Sequence, residues 1–323
     1  MAFDPGEWAR AHPQSSLRLR APLAPLTTMG VGGPARILAE AGNEEDLREL
    51  LALSQTQKWP LFPLGGGSNV VFGDQGFPGL VVRLGAGFAK MTVTGSTLLA
   101  GAATLTSSAL KLAQSQGLSG LEPLVGLPGS LGGAVSHNAG GRLGDIGQVV
   151  NRLRIMLLDG TIRDIPKADL RFAYRKAQLS LEPGVILAVE LTLRPESKEI
   201  IEARLAESRA LRANQPGGRS AGCVFKNPLQ PPNLSEADPT WGLRAGELVS
   251  AGRLIDLCGL RGRRLGGAQI SPQHANFIVN QGGARATEVL ALLDEAQRAV
   301  RRRFGLELEP EIARPAVPGG GDD

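Results

Sequence analysis

Four short stretches rich in glycine and other small residues constrain this chain more than any other feature. They are Gly30-Val31-Gly32-Gly33-Pro34-Ala35, Gly65-Gly66-Gly67-Ser68-Asn69, Gly126-Leu127-Pro128-Gly129-Ser130-Leu131-Gly132-Gly133 and Asn138-Ala139-Gly140-Gly141. Glycine has no Cβ and tolerates positive φ, so each stretch allows a backbone to approach a ligand closely. Any one of them reads equally well as a structural turn, but four in one chain point to a single extended ligand. The turn Gly65 to Asn69 offers several backbone N–H groups with the Ser68 hydroxyl and the Asn69 amide, a set suited to a phosphate or pyrophosphate. It is not a P-loop, because no Gly-Lys-Ser/Thr ends it, and Gly126 to Gly133 lacks the Gly-x-Gly-x-x-Gly spacing of a Rossmann turn.

The length, 323 residues, predicts about two domains. Residues 1–23 lack periodicity and read as a surface arm, residues 315–323 as a disordered tail. Between them, Asn43 caps a helix whose first turn carries Glu44, Glu45 and Asp46, with Leu47, Leu50 and Leu51 on one face. Strands are predicted at 61–64, 70–72 and 80–84, followed by a hairpin through Gly95-Ser96 with the glycine-first chemistry of a II′ turn. Thr104 is expected to cap a helix reaching about Gly117, and Asp159-Gly160 to form an I′ turn joining strands 153–158 and 161–165. A buried strand at 185–193 leads to Pro195 and Ser197, where the texture changes to a charged amphipathic helix reaching about Ala213. The main boundary is placed near 196, giving a first half of 24–195 with subdomains of about 24–85 and 86–195, and a second half of 196–314. The last helix runs from Thr287 to Gly305, and 306–312 is expected to be a closing strand.

Thirty-five Lys and Arg against 31 Asp and Glu leave a net charge of only +4, and one Tyr with three Trp provides few stacking platforms. Together these argue against a nucleic-acid-binding module. Arg298, Arg301, Arg302 and Arg303 read as a solvated cationic helix end complementing the dipole, with a polyanion site as the alternative. Two cysteines, Cys223 and Cys258, cannot build a disulfide framework, and three histidines without a paired Cys motif make a metal site unexpected. No signal-peptide pattern and no run of about 18 apolar residues is present, so a cytoplasmic chain without membrane insertion is expected.

The glycine clusters are followed in order by Phe172-Ala173-Tyr174-Arg175, Ser220-Ala221-Gly222-Cys223-Val224-Phe225-Lys226-Asn227-Pro228 and Ala251-Gly252-Arg253-Leu254-Ile255-Asp256. Gly266 to Ser271, His274 to Asn280 and Leu308-Glu309-Pro310-Glu311 complete the series. In order and spacing this set resembles the UDP-N-acetylenolpyruvoylglucosamine reductase family over about residues 24–312. With one tyrosine, Tyr174, already placed in Tyr-Arg, the chain looks like the shorter form, which lacks the tyrosine-bearing loop.

The resemblance implies an α+β fold, with a two-subdomain FAD-binding half of the vanillyl-alcohol oxidase type and a C-terminal α+β substrate domain. It implies noncovalent FAD held by Gly32, Gly33, Gly65, Gly66, Gly67, Ser68, Asn69, Gly126, Pro128, Gly129, Ser130, Gly133, Asn138, Ala139 and Gly140. Histidine attachment at His137 is not expected, because the pyrophosphate loop carries Ser68. NADPH is the implied hydride donor, and the enolpyruvyl ether of UDP-N-acetylglucosamine the implied acceptor, in peptidoglycan precursor synthesis. Arg175 matches the active-site arginine suited to a substrate carboxylate. Cys223 falls where many relatives have the serine that protonates C2, and Glu311 matches the acidic residue beside the reacting double bond. Lys226 and Asn227 match a segment that contacts the nucleotide-sugar.

On residue type alone, Arg175 reads as a surface ion pair and Cys223 as a buried structural cysteine. His274 and Asn276 read either as a hydrogen-bonded pair or as ligand contacts, and Arg212, Gln215 and Arg219 are candidates for covering the substrate. Alternatives are another flavoprotein of the same superfamily, an alcohol or sugar oxidase, or a nonenzymatic nucleotide-binding scaffold.

Overall fold

A computed structural model describes residues 3–178, 183–229 and 248–315. The first sheet orders its strands Ser16–Pro22, Pro34–Ala41, Phe77–Leu84 and Leu61–Pro63. The first pair is antiparallel, and the rest are parallel. Alternation along the central strands divides their side chains between two cores, as strand geometry requires. Ile37, Ala39, Leu80 and Val82 face one core, whereas Leu38 and Val81 face the other with Phe72 and Phe77.

The N-terminal segment differs from the expected surface arm. Helix α1 (Pro5–Ala11) is capped by Asp4 and buries Trp8 against the His12 ring, and Ser16–Pro22 forms the sheet edge. The physical reason is that this strand pairs an edge of Pro34–Ala41 that would otherwise present open hydrogen-bonding groups. Helix α2 (Glu44–Thr56) starts as expected, with Asn43 Oδ1 accepting from the Asp46 N–H at 2.9 Å. Its Leu47, Leu50 and Leu51 are buried on the Ile37 side, each contributing about 1.5–3 kcal/mol. Residues 70–72 are not a strand, since Val70 makes only a single bridge, to Ala313.

The second sheet is antiparallel throughout and runs Ile162–Pro166, Val150–Leu157, Gly184–Thr192, Thr97–Gly101, Met91–Thr94. Val185 and Leu187 pack into the core of the first sheet, while Val189 and Leu191 pack under the second. One apolar face therefore joins the two subdomains.

Helices α3 (Thr106–Ser115) and α4 (Leu131–Ser136) cover this sheet. Leu105, not Thr104, occupies the cap position of α3, and the Thr104 hydroxyl is buried without a partner. Thr104 is instead tied through its carbonyl, which accepts from the Leu131 N–H. Gly95 has φ 58 as expected, but at Asp159-Gly160 only the glycine is positive (φ 83), so the turn is not the I′ pair.

Helix α5 (Lys198–Ala210) lies beyond the expected boundary at 196, yet packs Ile201 and Leu205 against Val125 of the second subdomain. The third sheet follows, in the order Arg219–Cys223, Phe277–Asn280, Ala268–Ile270, Arg264–Leu265, with α6 (Ala251–Leu257) and α7 (Ala286–Phe304). Helix α7 ends at Gly305 (φ 67) and buries Val289, Leu293, Ala296 and Val300. Its first turn is capped from a distance, since the Asp74 carboxylate accepts from the Ala286 and Thr287 N–H groups at 2.7 and 2.9 Å.

Met29, Val31 and Val71 of the first subdomain are buried in the third core, and the Asn280 amide donates to the Met29 carbonyl. The three sheets are thereby held around a common cleft. Residues 306–312 do not form the expected strand. They cross between two units, with Lys226 N–H donating to Glu309 O, Glu311 N–H to Val224 O and Ala313 N–H to Asn69 O. The tail predicted at 315–323 lies, from 316, outside the described residues. Among the described residues, no helix is long and apolar enough to cross a membrane.

Candidate active site

The cleft contains a cavity of about 520 Å³. The whole Gly65–Asn69 loop lines it, with Gly126, Pro128, Gly129, Ser130, Gly133 and Ala139 from the second subdomain. Glycine is needed where these loops meet: a Cβ on Gly66 would lie 2.6 Å from the Gly129 Cα, and one on Gly67 (φ 64) would lie 1.9 Å from the Leu26 carbonyl oxygen. Among the described residues, the N–H groups of Gly65, Gly66, Gly67, Ser68 and Asn69 have no acceptor within the chain. Five open amides on a glycine cradle fit the pyrophosphate of an extended dinucleotide such as FAD.

Other residues expected at the cofactor are not among those lining this cavity. Gly32 and Gly33 pack against Phe72 and the Asp74 backbone, where a Cβ on Gly33 would meet the Asp74 oxygen at 2.1 Å. Asn138 and Gly140 line a second cavity of about 470 Å³ next to the first. The Asn138 amide is committed to the Ala173 carbonyl and the Gly147 N–H.

Arg175, Cys223 and Glu311, more than 45 residues apart in sequence, converge on the first cavity. Arg175 follows the short strand Arg171–Ala173 with φ 54, a left-handed conformation uncommon for a non-glycine residue. Its Nη1 donates to the Gly140 carbonyl at 2.9 Å. Its Nε lies 2.9 Å from Glu311 Oε1, a close ion pair in which the N–H is not aligned on the carboxylate. Glu311 is fixed at its backbone, the N–H donating to Val224 O and the carbonyl accepting from Asn69 Nδ2 at 3.0 Å.

Cys223 ends the strand Arg219–Cys223. Burial, then the Glu311 charge, push its thiol from the ordinary 9.0 up to about 12, against the opposing pull of Arg175, Arg212 and the Asn276 hydrogen bond. It is therefore a thiol, a proton carrier rather than a resting thiolate. Burial also raises the Glu311 carboxyl, held back by Arg175 and Lys226.

Lys226 pairs with Glu309, and Asn227 Oδ1 accepts the Ala251 N–H at 3.0 Å, holding the start of α6. The Asn227 N–H reaches the Tyr174 hydroxyl at 3.4 Å, so Asn227 lines the second cavity beside Tyr174. Asn276 is buried and clamps Phe225, accepting its N–H and donating to its carbonyl, while His274 Nδ1 accepts the Asn276 N–H. Both residues hold the loop after Cys223. Asn276 also lowers the thiol's pKa, an influence across 53 residues that no local pattern could reveal. His137 lines the first cavity, and burial, then the Lys226 charge, depress its pKa.

A family model described as UDP-N-acetylenolpyruvoylglucosamine reductase, C-terminal domain, matches residues 214–314, and one described as FAD binding domain matches residues 35–166. The chain is 39% identical to UDP-N-acetylenolpyruvoylglucosamine reductase of Acidiphilium cryptum, covering 97% of this chain and 96% of the relative. It is 40% identical to that of Paracoccus denitrificans, covering 95% and 98%. The crystal structure of the Thermus caldophilus reductase has a TM-score of 0.76 at 38% identity, covering 93% of this chain and 98% of that one. With an α+β architecture, an FAD-binding domain and near-complete coverage of these relatives, the chain is a flavin-dependent oxidoreductase and belongs to the UDP-N-acetylenolpyruvoylglucosamine reductase family.

Proposed function

We propose that this protein reduces the enolpyruvyl ether of UDP-N-acetylglucosamine to UDP-N-acetylmuramate, with NADPH as electron donor and Cys223 as proton donor. The observation that carries the reading is the meeting of Arg175, Cys223 and Glu311 on one wall of the cavity that the open amides of Gly65–Asn69 also line. When bound, FAD supplies hydride-transfer chemistry between the nicotinamide and C3 of the enol ether. Noncovalent binding by the glycine cradle is the fit favoured by Ser68 in that loop.

The side chains have the remaining work. As C3 gains hydride, negative charge builds toward C2 and its carboxylate, and the Arg175 guanidinium stabilises it. Cys223 Sγ then gives its proton to C2, leaving a thiolate that solvent reprotonates. A thiol near 12 keeps its proton until a carbanion-like acceptor forms. The Glu311 charge disfavours premature thiolate and its carboxylate orients Arg175 through their ion pair. A nucleotide-linked substrate and NADPH place this reaction in the cytoplasm.

Anaerobic absorbance of the FAD-loaded protein tests the proposal. NADPH should bleach the oxidised flavin band, and UDP-N-acetylglucosamine enolpyruvate should restore it. Restoration by oxygen alone would favour an oxidase, and no bleaching by NADPH would remove the assigned donor.

A further inference from the structure

Arg212 follows α5 and lines both cavities, as do Arg175 and Gln215. Its Nη2 donates to the Pro123 carbonyl at 2.9 Å. The side chain runs between two glycine loops: a Cβ on Gly126 would lie 3.6 Å from its Cδ, and one on Gly141 would lie 3.3 Å from its Nη2. The guanidinium thus spans the opening where the two cavities meet.

Its charge has no counter-ion there. Among the described residues, no carboxylate lies within ion-pair distance of Arg212, and Glu311, which lines the same cavity, is paired with Arg175. Burial, then the like charge of Arg175, oppose its cationic form, yet an arginine does not deprotonate in a protein. Two guanidiniums with one carboxylate leave the junction short of an anion. Cys223 identifies which anion. In the proposed reaction its thiol protonates the carbon that bears the enolpyruvyl carboxylate, so an anion held between the two arginines beside Cys223 sits one bond from that carbon.

We propose that Arg212 is a second anchor for the enolpyruvyl carboxylate, gripping it opposite Arg175 where the two cavities join. The assignment rests on the reductase reading above. It makes Arg212 a specificity residue: it distinguishes the enolpyruvyl compound from UDP-N-acetylglucosamine, which has the same nucleotide and sugar without the carboxylate.

The experiment compares FAD-loaded wild type, Arg212→Gln and Arg212→Lys, with thermal unfolding to establish that each is folded. Binding of the enolpyruvyl substrate and of UDP-N-acetylglucosamine is measured by calorimetry, and flavin bleaching by NADPH is followed separately. Arg212→Gln should weaken the enolpyruvyl substrate about 10- to 100-fold, the loss expected of a charge-assisted hydrogen bond, while UDP-N-acetylglucosamine changes less than about twofold. Arg212→Lys should recover part of the loss, because it keeps the charge without the fork. Equal weakening of both ligands would assign Arg212 to the diphosphate and overturn the proposal, as would unchanged substrate binding in Arg212→Gln. If wild-type flavin is bleached by NADPH but never reoxidised by the enolpyruvyl compound, the reductase reading fails and this assignment falls with it.

Discussion

The protonation state of Cys223 can be tested by its reactivity. In a Cys258→Ser background, Cys223 is the only thiol, and iodoacetamide reports its thiolate fraction as a function of pH. A thiol at the ordinary 9.0 is roughly one-tenth ionised at pH 8, whereas one at about 12 is roughly one ten-thousandth ionised, so alkylation should be about a thousandfold slower. Restricted access also slows a buried thiol, but the two causes separate by pH profile. Access scales the rate at every pH, while a raised pKa keeps the logarithm of the rate climbing through pH 10 without a plateau. Glu311→Gln removes a charge that raises the thiol, so its profile should shift to lower pH. Arg175→Gln removes a charge that lowers it, and should shift the profile the other way. Mass spectrometry of the labelled peptide gives the rates. A wild-type plateau with a midpoint at or below 9, or a Glu311→Gln profile moved upward, would refute this account of the electrostatics.

Three further outcomes are expected. Cys223→Ala should keep flavin bleaching by NADPH and lose substrate reduction in stopped-flow absorbance, whereas Cys223→Ser should keep substantial turnover, since either group can donate a proton. Gly66→Ala puts a Cβ 2.6 Å from the Gly129 backbone, so it should lower the FAD retained through gel filtration and destabilise the fold by about 1–3 kcal/mol in urea. Asp74→Ala removes the acceptor for two α7 amides and should cost about 1–2 kcal/mol at neutral pH. Burial raises the Asp74 carboxyl, but the hydrogen bonds from Thr287 and Ala286 outweigh it and leave it below 3.8. Its contribution is therefore full above the unfolded value and is lost as pH falls through the lower folded one, so wild type and Asp74→Ala should converge in stability in acid.

Much of the site was legible because its chemistry is local in sequence. The glycine of Gly65 to Asn69 marks where one backbone must pass another, and Asn43 with three acids behind it marks a helix start whatever packs on it. The convergence of Arg175, Cys223 and Glu311 could be anticipated only from the order of several motifs, since no spacing rule links residues so far apart. What was missed depends on long-range contacts. Thr104 has a cap's side chain but not its position, because its carbonyl is bound by Leu131. The motifs that contain Asn138 and Asn227 do not show their partners either: their side-chain oxygens accept from Gly147 and Ala251. The apolar alternation of 306–312 suggests a strand, but the segment finds its hydrogen-bonding partners in two different units. Helix α5 shows a change of texture at Ser197 without a change of core, because Ile201 and Leu205 return to Val125.

The crossing made by residues 309–313 has a consequence for biosynthesis. Translation delivers the Gly65–Asn69 loop long before its partners: the Asn69 amide donates to the Glu311 carbonyl, the Asn69 carbonyl accepts from Ala313, and Val71 donates to the Ala313 carbonyl. A nascent chain can complete its first two sheets on the ribosome, yet the Gly65–Asn69 loop stays open along one side until residues 309–313 have been made. A chain terminated before residue 309 lacks both Glu311, the ion-pair partner of Arg175, and the clasp that closes the loop beside it.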